Sequence, residues 1–381
     1  MTESYQLQLG EQIPETPHAV CVHFPQLEEI IGYEEGKPEI VHQLKGGYPR
    51  FVLHPFIEQL GKELIQRHHL EGYAVALLSS RRAAREMEAF VLDDAGEWFE
   101  DEGLYIYRYS GSEASRKLCR QYLQHTGCSI SSRMAEDRLV DLNVLERAFP
   151  EPRREERPSH YVRHELAQLF FTGRPDSILL CNSGMNAFYS TFKAVRDLMA
   201  EDNRHLWLQM GWLYLDTTRI LECFTHSENQ THLFLDIQDQ AGVERFLERH
   251  GDQVAGCVTE VPTNPLLQTM DLDWLRNLAD RYGFILILDP SMVSPYNLDI
   301  LPYADVLVTS LTKYVACAGD VIMGAAIFNT GRPLATELLA RTVGHHEPPY
   351  LRDLQRIALE VGEAPMILKR VNQTTALIAS F

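Results

Sequence analysis

Positive charge is scarce in this chain: 35 Lys and Arg stand against 53 Asp and Glu in 381 residues, a formal net charge of −18. A surface of that sign repels nucleic acid and anionic membranes, which disfavours both as partners. No apolar run approaches the roughly 18 residues that a membrane-spanning helix needs. The opening MTESYQLQLGEQIPETP lacks the basic start and apolar core of a secretory signal. Paired cysteines are missing too. Cys21, Cys119, Cys128, Cys181, Cys223, Cys257 and Cys317 are scattered, odd in number and never in C-x-x-C spacing, which argues against a disulfide frame or a zinc site. These absences point to a reduced, cytoplasmic protein. What is there, 45% hydrophobic and 23% charged residues, is ordinary for a folded globular chain. The length suits two domains, or one large α/β domain with an extension.

Met1 to Pro17 is polar and reads as an extended lead-in. A small α/β unit is expected next, within residues 1–115. It has a helix from Pro55 to His69 with Ile57, Leu60, Leu64 and Ile65 near one face, then strands at Tyr73–Leu78 and Leu104–Tyr109 around the helix-like RRAAREMEAF. Residues 116–345 form the main domain. Pro150–Ser159 is a charged, proline-rich loop, and Tyr161–Phe171 reads as a helix. Strands follow at Ile178–Cys181, Leu206–Met210, His232–Leu235, Val254–Glu260, Phe284–Asp289, Asp305–Thr309 and Ile322–Phe328, with helices between most of them. Such alternation predicts an α/β fold, a mostly parallel seven-stranded sheet with helices on both faces. Ligands of such sheets sit at the carboxyl ends of the strands.

Gly184, Tyr214, Asn264, Asp289 and Lys313 all follow strand ends. Lys313 comes just past a buried strand in Ser310-Leu311-Thr312-Lys313, placed to form a Schiff base while the hydroxyls of Ser310 and Thr312 hold a phosphate. Asp289, ending a neighbouring strand, is placed to pair with a pyridinium nitrogen. These are the protein groups that pyridoxal phosphate chemistry most needs. Asn182-Ser183-Gly184-Met185-Asn186 turns from strand to helix and aims backbone N–H groups at an anion, with Ser183 as a helix cap.

The stretch with Asp289, Ser294-Pro295-Tyr296, Ser310-x-Thr312-Lys313-Tyr314 and Asp320-Val321 with Gly324 resembles the Cys/Met-metabolism family of pyridoxal phosphate enzymes. His18-Ala19-Val20, Ile31 to Gly36 and Gly47-Tyr48-Pro49-Arg50-Phe51 resemble the extended N-terminal region of the fungal type of cystathionine γ-synthase within it. The resemblance implies a fold-type I transferase with pyridoxal 5′-phosphate as cofactor, in a homodimer or homotetramer with shared active sites. It implies that the Gly184 and Met185 amides bind the phosphate, that Tyr214 stacks on the pyridine ring, and that Asn264 donates to the cofactor's phenolic oxygen. Trp212 competes with Tyr214, since Leu215 and Asp216 replace two glycines of the family pattern. Ser131 and Arg133 match a Tyr-x-Arg that reaches a neighbouring subunit's cofactor phosphate, with Ser131 in the tyrosine's place.

The implied reaction on small amino-acid substrates is γ-replacement, joining an O-acylhomoserine and cysteine to give cystathionine, with Lys313 moving the protons. A sulfhydrylase or a γ-lyase would share every cofactor residue. A cofactor-binding but inactive partner protein is the reading from another class. It is suggested by Pro290 in place of an Asn, and by Ala316-Cys317-Ala318-Gly319 in place of Gly-Gly-His-Ser. Residues 346–381 read as helices, Tyr350–Leu359 and Ala364–Ser380, leading toward a C-terminal domain that carries the family's carboxylate-binding arginine. The chain is accordingly expected to be a fragment of a longer enzyme.

Overall fold

Val254–Glu260 is buried along its whole length, and a strand without a solvent face belongs in the middle of a sheet covered on both sides. In the computed structural model, which describes residues 7–46, 52–225, 227 and 229–381, it does so. The Gly47–Phe51 motif lies outside the described residues. Seven strands form one sheet: β1 (Ile178–Cys181), β2 (Leu206–Met210), β3 (Thr231–Phe234), β4 (Val254–Glu260), β5 (Ile285–Asp289), β6 (Val306–Ser310) and β7 (Gly324–Phe328). Their order is β1-β7-β6-β5-β4-β2-β3, parallel except for β7, which runs antiparallel to β1 and β6. This is the expected mostly parallel sheet. Strand starts differ by a residue or two from the sequence pattern, and at β6 the reason is visible. Asp305 precedes the strand, and its carboxylate accepts from Arg276 and the Leu286 amide.

The helix Gly184–Ala200 supplies Phe188, Phe192 and Val195 to a core with Trp207, Val258, Ile287 and Val308, and Ala335–His345 adds Leu338. These elements belong to one compact unit, Arg154–Cys317 with Met323–Pro349 and Ile357–Phe381. Along the chain Ala364–Ala379 follows Leu351–Glu360 as expected; the former buries Ala364 and Leu368 while Leu377 and Ile378 stay exposed. Among the described residues no helix is long and apolar enough to cross a membrane.

A second unit comprises Met1–Arg153, Ala318–Ile322 and Tyr350–Arg356. Its antiparallel sheet pairs Ala74–Leu78 with Leu104–Tyr109, and Leu104–Tyr109 with Glu97–Asp101. The last strand was not anticipated because it is acidic, and it forms as an edge strand on the turn through Glu102 and Gly103, both at positive φ. The helix Pro55–Arg67 packs Ile57, Leu60 and Leu64 against Leu77 and Ile106.

Beside this apolar core lies a buried ionic one. Arg133, 1% exposed, donates to both Glu151 oxygens at 2.8 and 2.7 Å, to Asp353 at 3.1 Å and to the Asp320 carbonyl at 2.8 Å. Arg352 meets Glu136 at 2.8 Å and Glu151 at 3.0 Å. His18 lies 3.0 Å from the Ser132 hydroxyl and 3.2 Å from Glu136. Burial alone would raise the Glu136 pKa, but His18, the Phe149 amide and Arg352 outweigh it and hold the carboxyl at about 2.

Breaking such a network leaves buried charges without partners. Arg133→Ala should therefore lower the unfolding free energy by about 3–5 kcal/mol in urea denaturation at neutral pH. Because Glu136 binds its proton less readily folded than unfolded, its contribution is complete above its ordinary value of 4.5 and is lost as pH falls toward about 2. A stability profile flat through that window would show that Glu136 is not ionised in the folded protein.

Candidate active site

Parallel strands end on one edge, so the carboxyl ends of β1, β2, β4, β5 and β6 lie together with the amino end of β7, where Gly324 pairs with Cys181 and Ser310. After β1 the Ser183 hydroxyl accepts from the Asn186 amide at 3.0 Å and starts the helix Gly184–Ala200. The Gly184 and Met185 amides precede that helix's first internal hydrogen bonds and carry its positive dipole end. A Cβ on Gly184 would lie 2.9 Å from that of Ser310, and one on Gly324 would strike the Ser183 backbone. Glycine at both positions brings the helix start against the end of β6.

Ser310 is fixed by its amide, which donates to the Ser291 hydroxyl at 2.8 Å; that hydroxyl lies 3.2 Å from Thr309. Lys313 follows on the short helix Leu311–Tyr314, with an exposed side chain. The Thr312 hydroxyl is turned to Met323, accepting from its amide at 3.1 Å and lying 3.3 Å from its carbonyl. Thr312 thus docks the lysine's helix to the start of β7. Tyr314 donates to the Met292 carbonyl at 2.9 Å.

Asp289 ends β5 and stands in register with Glu260 at the end of β4. Asp289 as a whole is half-buried, with its carboxyl set among protein atoms, where it accepts from the Ser291 amide at 2.8 Å. Burial pushes its pKa up to about 6, against the Ser291 hydrogen bonds and the positive charge of Lys313. Lys313 and Asp289 are therefore electrostatic neighbours. Glu260, 7% exposed, accepts from the Tyr214 amide at 2.5 Å and the Asn264 amide at 3.0 Å. Burial, then the Asp289 charge, pushes it up to about 8. Tyr214 is half-buried before the helix Leu215–Cys223, while Trp212 is exposed.

The structure thus gathers Ser183, Gly184, Met185, Tyr214, Asn264, Asp289, Ser310, Thr312 and Lys313 on one sheet edge. Ser131 and Arg133 belong to the other unit. Ser131 caps the helix Ser132–Asp141, and Arg133 must release Glu151 and Asp353 before it can meet a phosphate. Sequence reasoning missed Glu260 and Ser291. The available signal for Glu260 was an acid closing a buried strand just before Pro262-Thr263-Asn264-Pro265.

Helix-start amides over a glycine cradle suit a phosphate, and an amine beside a buried carboxyl suits an aldehyde on a basic ring. With the sheet order this defines a fold-type I pyridoxal phosphate protein. Residues 152–351 match the model of the family described as Cys/Met metabolism PLP-dependent enzyme. The chain belongs to that family, whose cofactor is pyridoxal 5′-phosphate. It is 34% identical over 369 residues to the L-2-amino-4-chloropent-4-enoate dechlorinase/desaturase of Streptantibioticus cattleyicolor, covering 97% of this chain and 74% of the relative. It is 28% identical to the alanine racemase ungC of Aspergillus violaceofuscus (98% of this chain, 75% of that one). To the cystathionine gamma-synthase of Saccharomyces cerevisiae it is 24% identical (84% and 71%). The chain spans about half the length of the solved structures that it aligns with.

A buried acid whose folded pKa exceeds its ordinary 3.8 destabilises the fold once it ionises, so stability falls as pH rises from there through about 6. In cofactor-free protein Asp289→Asn should therefore raise stability at pH 8, by about 1–3 kcal/mol. Urea denaturation measures it; a less stable variant at that pH would mean that the carboxylate is well solvated.

Proposed function

We propose that this chain is a pyridoxal phosphate enzyme acting at the γ carbon of an L-α-amino acid that carries a leaving group there, by replacement or elimination. The observation that carries the reading is Lys313 on the short helix that follows β6, its positive charge acting on the carboxyl of Asp289 at the end of the adjacent strand β5. Two relatives support the γ position. The substrate named for the first bears chlorine on C4, the γ carbon, and the yeast relative is a cystathionine gamma-synthase. The replacement form of the proposal joins an O-acylhomoserine and cysteine. Elimination is the form that the dechlorinase/desaturase favours.

Bound pyridoxal phosphate supplies an electron-withdrawing ring conjugated to the substrate's amine. Each protein group has a part in this proposal. The Gly184 and Met185 amides, with the Ser183 and Ser310 hydroxyls, would hold the phosphate, and Thr312 fixes the lysine's helix. Asp289 keeps a proton on the ring nitrogen. Tyr214 would stack on the ring and Asn264 would donate to the phenolic oxygen. Lys313, with its amine free, would take a proton from the substrate's Cα and move it along the reacting carbons. The shared active sites of a homodimer or homotetramer in the cytoplasm remain part of the proposal.

The purified protein should absorb visible light, and borohydride reduction followed by digestion should place the pyridoxyl group on Lys313. A pyridoxyl adduct on another lysine would overturn the assignment. Asp289→Asn should lose turnover by about 100-fold or more, on the scale of other preorganised charges, while cofactor retention changes less. Chloride, acyl-group and thioether release, assayed side by side with and without cysteine, separates elimination from replacement. Release from none of these substrates would sink the γ-carbon reading.

A further inference from the structure

We propose that Glu260 is a positioning residue of the cofactor site, its two carboxyl oxygens setting the places of the Tyr214 and Asn264 loops against Asp289. The proposal rests on the functional reading above and extends it to a residue outside the set expected from sequence. Tyr214 precedes the helix Leu215–Cys223, so its amide has no intrahelical partner. Asn264 lies in the turn after β4. One carboxyl serves both amides, with Oε1 accepting from Tyr214 at 2.5 Å and Oε2 from Asn264 at 3.0 Å. The clamp is anchored on both sides. Glu260 pairs in register with Asp289, and the next amide, Val261, donates to the Asp289 carbonyl at 2.9 Å. Thr259, one residue earlier, donates to the Met210 carbonyl at the end of β2. A shift of the Glu260 carboxyl would therefore move the ring-stacking and phenol-binding loops relative to the acid that holds the ring nitrogen.

The chemistry of the carboxyl is specific to this task. Two N–H donors on separate oxygens need two acceptors, which an ionised glutamate has and a glutamine lacks. Burial and the Asp289 charge push Glu260 up to about 8. A positive group held by Asp289 counters that charge and favours the ionised, two-armed form. Filling the site and strengthening the clamp are in this way linked.

The test compares wild type, Glu260→Gln and Glu260→Asp as holoproteins. It reads amide hydrogen exchange at Tyr214 and Asn264, pyridoxal phosphate affinity by titration, and the visible circular dichroism of the bound cofactor. In Glu260→Gln one of the two amides should exchange faster by about tenfold or more, because a buried donor has lost its acceptor. Cofactor affinity should fall by a similar factor and the visible dichroism should weaken, while the amides inside β5 and β6 keep their protection. Glu260→Asp, which keeps both oxygens but withdraws them by one methylene, should restore part of the dichroism; it also replaces Glu260→Gln if that variant does not fold. A folded Glu260→Gln protein with both amides still protected would overturn the proposal. So would faster exchange with affinity and dichroism within about twofold of wild type, less than one lost hydrogen bond is worth. Failure of the functional reading looks different: the wild-type chain then takes up no pyridoxal phosphate, and the role of Glu260 falls with it.

Discussion

Two carboxyl groups at the ends of adjacent parallel strands are the constraint on which the site depends. The register of β4 and β5 sets Glu260 beside Asp289, both among protein atoms, and a dry environment disfavours charge on either. Once Asp289 is ionised, its charge adds to the cost of ionising Glu260. The arrangement persists because backbone amides answer the carboxyls: Ser291 for Asp289, Tyr214 and Asn264 for Glu260. A sheet edge that would otherwise be a row of loops becomes a connected set of fixed positions. Lys313 enters this set from the next strand, its positive charge drawing Asp289 toward ionisation.

The glycines extend the same constraint to the phosphate end. Gly184 and Gly324 let the start of the helix Gly184–Ala200, the end of β6 and the start of β7 approach more closely than side chains allow. Thr312 then fastens the lysine's helix to Met323. The distance from helix-start amides to lysine is thus set by backbone packing rather than by flexible side chains. That suits a ligand with a phosphate at one end and an aldehyde near the other.

Much of this was legible in the sequence because buried parallel strands announce themselves. Ile285–Asp289 and Val306–Ser310 are apolar runs that stop at a polar residue, so the ends that carry Asp289 and Lys313 could be read directly. Glu97–Asp101 could not be read, since its acids contradict the strand pattern and only pairing with Leu104–Tyr109 makes it one. Glu260 was hidden for a related reason. An acid before a Pro-Thr-Asn-Pro turn looks like a solvated loop charge until the register places it inside. Arg133 was read for the guanidinium alone, while its carboxylate partners Asp320 and Asp353 come from distant segments that no local pattern connects.

The ionic core around Arg133 and the carboxyl edge of the sheet handle buried charge in opposite ways, and the difference follows from what each must leave open. Around Arg133 and Arg352 every carboxylate has a cation, and Glu136 and Glu151 are held below the ordinary carboxylate range. Such a network is closed: it favours one packing of its segments and offers nothing to a ligand. At the sheet edge the carboxyls are held above that range instead. Hydrogen bonds from amides fix their positions without neutralising them, so their electrostatic demand is left unmet. A positively charged ring nitrogen at Asp289 would meet it, which makes the same imbalance a cost to the empty fold and a source of affinity for the cofactor.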